Sequence, residues 1–321
     1  MNIIWACLFL FGGLVILWKC AELLVSGAVG LANRLNVSPL VIGLTVVAMG
    51  TSAPELAASI AASARGIGNI TIGNVYGSNI ANLALIGGLC ALIRPISVQP
   101  KTLRREIPVM LLVALLLWPV LHNLYLSRTE GLVLLAVFSA LLLLIVHSAR
   151  KEKHKSTTTQ ENKDTCAKLN MRKSVLLVVI GLVGLALGAD IAVRGAVFIG
   201  ERAGLSKAVI GLTIIAVGTS LPELATCLVA AFKAQHDISI GNLVGSNIFN
   251  TLLVTGSAGA IRPIEIVPRL IGVDYWIMII VSGVFLLAAA IGRRIGRIDG
   301  IILLGGYIAY IVYLLAYTSG V

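Results

Sequence analysis

Hydrophobic residues gather into ten runs, near residues 3–31, 38–65, 69–93, 106–124, 129–148, 174–200, 208–232, 238–261, 273–292 and 298–318, each bounded by polar residues or by glycine and proline. A helix crosses the hydrocarbon of a bilayer with about 20 apolar residues, so the pattern predicts an all-α protein of ten membrane-spanning helices joined by short loops. One long hydrophilic stretch interrupts it, from Ser148 to Lys173, with Lys151, Lys153, Lys155 and a Ser-Thr-Thr-Thr run. It shows no apolar periodicity and reads as a flexible linker without a site of its own. The chain is thereby expected to divide into a first half, 1–148, a linker, 149–173, and a second half, 174–321.

Composition supports the membrane assignment. The 321 residues are 58% hydrophobic and 12% charged, with a mean hydropathy of +0.99, whereas soluble domains carry about a quarter charged residues. The 33 glycines suit closely packed membrane helices. The net charge of +11 does not mark a nucleic-acid surface, because the basic residues sit mostly between apolar runs. Four of the five cysteines (Cys7, Cys20, Cys90, Cys227) lie inside apolar runs, without a CxxC spacing, and read as packing residues. No basic segment precedes the first run, so it reads as a retained span rather than a cleaved signal.

The halves repeat at a spacing of 168 residues. Val41-Ile-Gly-Leu-Thr45 returns as Val209-Ile-Gly-Leu-Thr213, Gly50-Thr-Ser-Ala-Pro-Glu-Leu56 as Gly218-Thr-Ser-Leu-Pro-Glu-Leu224, and Ile72-Gly-Asn through Ile80 as Ile240-Gly-Asn through Ile248. Asn82 then matches Asn250, Ile93-Arg-Pro-Ile96 matches Ile261-Arg-Pro-Ile264, Glu106 faces Asp274 and Glu22 faces Asp190. Five spans per copy is an odd number, so the second copy is expected to enter the membrane from the opposite side, as in many alternating-access transporters. Arg34, Arg94, Lys101, Arg104, Arg105, the linker and its flanks, Lys233, Arg293, Arg294 and Arg297 then fall on one side. Arg65, Arg128, Arg202, Lys207, Arg262 and Arg269 fall on the other. This near-threefold excess predicts a cytoplasmic linker and both termini outside.

Glu55 and Glu223 stand inside apolar runs, where a carboxylate needs a partner or a wet cavity. No intramembrane Lys or Arg occupies matching positions in both halves, so a bound cation explains the symmetric pair better than an internal salt bridge or a protonated structural role. Pro54 and Pro222 lack the amide hydrogen that would close the preceding turn, which frees carbonyls near Gly50 and Gly218. Thr51, Ser52, Thr219 and Ser220 add hydroxyls beside them. A set made only of oxygens suits a hard cation such as Ca²⁺, and none of the four histidines falls in these motifs. Ser78 with Asn82, and Ser246 with Asn250, are four residues apart and share a helix face expected to look toward the glutamates, while Gly77 and Gly245 serve packing.

Gly-Thr-Ser-x-Pro-Glu and Gly-Ser-Asn-Ile-x-Asn, present in order in both halves, closely resemble the alpha-repeats of the calcium/cation antiporter superfamily, and in particular its prokaryotic sodium/calcium exchangers. The resemblance implies a central calcium site made by Glu55, Glu223 and the carbonyls of Thr51 and Thr219. It implies sodium sites that share the glutamates and add Ala48, Ser52, Ser78, Ala216, Ser220 and Ser246. Members that cotransport potassium tend to carry Asp where this chain has Asn250; with Asn82 at the paired place, the chain resembles the sodium/calcium branch. The short linker lacks the calcium-sensing domains of animal exchangers, and the resemblance implies that the long first and sixth helices slide as a gate. Glu22 and Asp190 are expected to anchor those helices.

The expected activity is therefore antiport of Ca²⁺ against Na⁺ in a lipid bilayer, without a cofactor, without catalysis and without nucleic acid, and the size and family point to a prokaryotic inner membrane. Ca²⁺/H⁺ exchange on the same fold is the nearest alternative, since protons could also discharge the glutamates. A cation channel lined by the same carboxylates is a more distant one.

Overall fold

The structure is a computed structural model that describes residues 2–155, 170–204 and 216–319. Its helices are α1 (Ile3–Leu35), α2 (Pro39–Thr51), α3 (Ala53–Ala64), α4 (Gly68–Ile93), α5 (Pro100–Arg104), α6 (Glu106–Leu121), α7 (Arg128–Lys155), α8 (Met171–Arg202), α9 (Ala216–Thr219), α10 (Leu221–Phe232), α11 (His236–Ile261), α12 (Leu270–Ala290) and α13 (Arg297–Ser319). Seven of these, α1, α4, α7, α8, α11, α12 and α13, are long and apolar enough to cross a membrane, and the pair α2–α3, bent by 44°, makes an eighth. This count of described residues falls short of the ten runs for two reasons. α6 has only 16 residues, and α10, with 12, follows residues 205–215, which lie outside the described set together with Val209–Thr213 and Lys207.

The helix before the expected linker runs past Ser148. α7 continues to Lys155, because Ala149 through Lys155 is rich in Lys, Arg and Glu, which lose little rotamer freedom in a helix. The polar residues 156–169 lie outside the described set.

Two short ribbons mark opposite ends of the bundle. β1 (Ile96–Ser97) and β4 (Arg294–Ile295) pair antiparallel, and β2 (Tyr125–Leu126) pairs with β3 (Ile264–Glu265). Each ribbon joins one strand from each half, and exchanging the halves turns one ribbon into the other. The same exchange relates the left-handed turn residues Asn36 and Gly204, Gly66 and Ala234, and Leu124 and Arg293. Tight helix crossings follow suit. A Cβ on Gly88 would lie 3.0 Å from the Gly300 carbonyl oxygen, and one on Gly256 would lie 2.9 Å from that of Gly131. α1 and α8 run antiparallel along each other, with Gly13 against Gly188 and Ala192, and Gly27 against Ser174 and Val178.

The core follows from these crossings. α11 is buried along Ile238–Phe249 without interruption, whereas Ile4, Phe11, Leu143, Leu144, Ile298 and Ile302 are exposed on the outer helices, as lipid-facing side chains would be. Backbone contacts this close leave no room for a side chain. Gly256→Leu is expected to destabilise the protein by about 1–3 kcal/mol, read as a lowered melting midpoint in detergent. Gly305→Ala, at a position with nothing within 4 Å of the added carbon, is expected to leave it unchanged.

Candidate ion-binding site

Proline at the second position of α3 and of α10 sets the site's backbone. Pro54 cannot donate to the Gly50 carbonyl, nor Pro222 to that of Gly218, so each helix breaks at the intervening serine. Ser52 (φ −83°, ψ 7°) and Ser220 (φ −88°, ψ 7°) adopt nearly the same non-helical conformation. Each glutamate is then the third residue of a new helix, where free N–H groups and the helix dipole favour negative charge. Glu55 is 1% exposed and Glu223 is fully buried.

The two breaks meet crosswise. The Ser52 hydroxyl donates to Glu223 Oε1 at 2.9 Å, and the Ser220 hydroxyl donates to Glu55 Oε1 at 3.3 Å. The threonine before each serine, Thr51 or Thr219, ends the preceding helix at the break. Each carboxylate thus takes its hydroxyl donors from the other half of the chain. Neither glutamate forms an ion pair with Lys or Arg among the described residues.

The second motif lines the same junction. α3 packs against Asn250–Val254 and α10 against Ala81–Ile86, and these are the two stretches where α11 and α4 widen into π-helical turns. Such turns recur at functional sites. Ser78, Asn82, Ser246 and Asn250 are all buried. Their side-chain oxygens and amide nitrogens have no hydrogen-bond partner, and neither does Glu55 Oε2 or Glu223 Oε2. An orphaned buried polar atom costs about 1–3 kcal/mol, so a cluster of them identifies groups that a bound ion or water would satisfy.

The remaining expected ligands fall into place less uniformly. The Ala48 carbonyl accepts the Ser52 N–H at 3.0 Å, with the Thr51 hydroxyl oxygen 3.4 Å away. Ala216 opens α9, and its side chain lies outside the described residues. Two residues that the motif contained but that were not singled out are Asn74 and Asn242. Asn242 Oδ1 accepts the Thr51 hydroxyl at 3.1 Å while its amide donates to Cys227 Sγ at 3.3 Å, and Asn74 donates to Ser59 Oγ at 3.1 Å. Their recurrence after Gly73 and Gly241 was the available signal. Asn242 holds Thr51, and through it the rim of the site.

Two neighbouring carboxylates with no cation between them oppose each other. Glu55→Gln and Glu223→Gln are therefore each expected to leave the protein folded and, in buffer free of metal cations, to raise its melting midpoint by about 2–4 °C, equivalent to about 1 kcal/mol. A lowered midpoint in both would show that the carboxylates serve the fold instead.

Known proteins share this chain's length and arrangement. The family described as "Sodium/calcium exchanger protein" matches residues 5–147 and 173–316. Inner membrane protein YrbG of Escherichia coli is 38% identical over 94% of each chain. Sodium/calcium exchanger MaX1 of Methanosarcina acetivorans is 33% identical over 96% of this chain and 97% of its own. The solved structure of the sodium-calcium exchanger NCX_Mj, soaked with Na⁺ and no Ca²⁺, superposes with a TM-score of 0.83 at 34% identity, covering 97% of this chain and 99% of that one. With its paired helix breaks and motif-bearing halves, the chain is a helical membrane protein that belongs to the sodium/calcium exchanger family.

Proposed function

We propose that the protein is a secondary antiporter that exchanges Ca²⁺ for Na⁺ by alternating access, with ten spans arranged as two inverted five-helix halves. The observation that carries the reading is the crosswise site. Two buried carboxylates, each held by a serine of the other half and each with one oxygen unpartnered, match a cation's charge with oxygens alone. Oxygen ligands of this kind suit Ca²⁺ and Na⁺.

In this reading Ca²⁺ binds Glu55, Glu223 and the carbonyls of Thr51 and Thr219. Sodium ions take the same carboxylates in turn, with Ala48, Ser52, Ser78, Ala216, Ser220 and Ser246 completing their shells. Asn82 and Asn250 supply neutral oxygens, which leaves the site's charge to the two glutamates. Coupling follows from charge. An empty, doubly negative site resists passage through the occluded state, so only a calcium-loaded or a sodium-loaded protein changes the side to which it opens.

The linker lies in the cytoplasm and both termini lie outside, the arrangement that the excess of basic residues on one side favours. The ribbons support that sidedness, since Arg293 and Arg294 join the β1 strand at one end while Arg262 and Arg269 flank the strand paired with β2 at the other. Full-length relatives from a bacterium and an archaeon, one of them named an inner membrane protein, favour a prokaryotic cell membrane.

Purified protein in vesicles separates the counter-ions. An outward sodium gradient is expected to drive ⁴⁵Ca²⁺ uptake, and an imposed pH gradient with K⁺ is expected to give none; uptake driven by protons alone would replace Na⁺ with H⁺ in this account. Glu55→Gln and Glu223→Gln are expected to lower uptake at least 100-fold, and transport retained by both would remove the glutamates from the site.

A further inference from the structure

The repeated motif Ile93-Arg-Pro-Ile96, with its copy Ile261-Arg-Pro-Ile264, lies outside the ion site. A residue before proline is driven out of the helical region, so α4 and α11 end here. Arg94 (φ −146°, ψ 117°) and Arg262 (φ −147°, ψ 134°) are both extended. Each arginine thereby leaves the axis of its own helix, while the isoleucine two residues on, Ile96 or Ile264, is buried and anchors the turn. Gly68, at the start of α4, leaves room for the Ile264 side chain.

Each arginine reaches the glutamate helix of the other half. Arg94 Nη1 donates at 3.3 Å to the carbonyl of Phe232, the last residue of α10. Arg262 stands at the equivalent end of α3, where a Cβ on Gly66 would lie 2.9 Å from its Nη1. A cation is favoured at such a place, because the last carbonyls of a helix lack intrahelical partners and carry the negative end of its dipole. The residues that follow make the same crossing. Gln99 Nε2 donates to Asp237 Oδ2 at 2.6 Å, and the Val267 N–H donates to Asn69 Oδ1 at 2.9 Å. A shift of 168 positions turns Gln99 into Val267 and Asn69 into Asp237, so each half clasps the tip of the other half's helix pair at the same two points.

α4 therefore holds α10 at two levels, with the π turn that contains Asn82 and, farther on, with Arg94. α11 holds α3 in the same way, with the π turn that contains Asn250 and with Arg262. We infer that Arg94 and Arg262 are positioning residues that set the register of each glutamate against the amide-bearing turn of the opposite half, and thereby the size of cation that the site prefers. The inference rests on the reading that Glu55, Glu223, Asn82 and Asn250 serve one cation site. The arginines touch neither ion nor glutamate. They act along α3 and α10, single helices of 12 residues that carry a shift at one end to the carboxylate at the other. Selectivity among cations of one charge depends on the size and flexibility of the cavity, and a loosened register accommodates a larger ion.

Binding of ⁴⁵Ca²⁺ to the purified protein, displaced by unlabelled Ca²⁺ or by Sr²⁺, reads that preference, since Sr²⁺ carries the same charge on a larger ion. Both arginines are exposed, so their replacement does not threaten folding. Arg94→Gln is expected to lower the ratio of Ca²⁺ to Sr²⁺ affinity by about two- to fivefold. Arg262→Gln is expected to lower it less, because the Ser63 hydroxyl also ties α3 to α11, donating to the Ala258 carbonyl at 2.7 Å. The two together should exceed either alone. Arg94→Lys, which can still donate to the Phe232 carbonyl, should keep most of the original ratio. Arg104→Gln removes the same charge from an exposed position on α5 and should leave the ratio unchanged. A loss of folded protein would lower the binding of both ions alike and would not move the ratio. Native protein that binds Ca²⁺, with a ratio unaltered in the double arginine variant, would overturn the positioning role and leave the ion site standing. Native protein that binds no Ca²⁺ would refute the site and the inference with it.

Discussion

A carboxyl group buried in a membrane protein is costly to ionise, and here two of them meet at one junction with no ion pair to Lys or Arg among the described residues. That constraint organises this structure. It accounts for the proline break beside each glutamate, because a helix start supplies free N–H groups and a dipole that favour a buried anion. It also explains why the serines reach across rather than along the chain. Ser52 on Glu223 and Ser220 on Glu55 tie each carboxyl group to the opposite half. The orphaned amides of Asn82 and Asn250 lie in π turns against the glutamate helices, where a continuous α-helical ladder would have turned them elsewhere.

Much of this was legible in the amino-acid order. The repeated Pro-Glu pairs announced both the breaks and the charge, since proline in an apolar run has a direct backbone consequence and a glutamate there has a direct electrostatic one. The crosswise hydrogen bonds were not legible, because Ser52 is three residues from Glu55 and nothing local says that it serves Glu223. The π turns were hidden for a related reason. Ala81–Ile86 and Asn250–Val254 have the composition of ordinary membrane helix, and the widening is imposed by what packs on them. Asn242, which accepts the Thr51 hydroxyl, was not singled out in the sequence, where nothing local pairs it with Thr51. The helical run from Ala149 to Lys155 was lost to a polarity argument, which identifies what leaves the membrane better than what leaves the helix.

Where the halves match, they bring Glu55 and Glu223 to one junction. Identical motifs at Glu55 and Glu223 give a junction that reads the same from either face.

The central claim is that one site, shared by both glutamates, takes Ca²⁺ and Na⁺ in competition. Equilibrium binding of ⁴⁵Ca²⁺ to the purified protein at increasing Na⁺ tests it most directly. The account predicts that Na⁺ weakens Ca²⁺ binding progressively without lowering the number of sites, and that Glu55→Gln with Glu223→Gln removes binding. Calcium binding indifferent to Na⁺, or undiminished in the double variant, would contradict it.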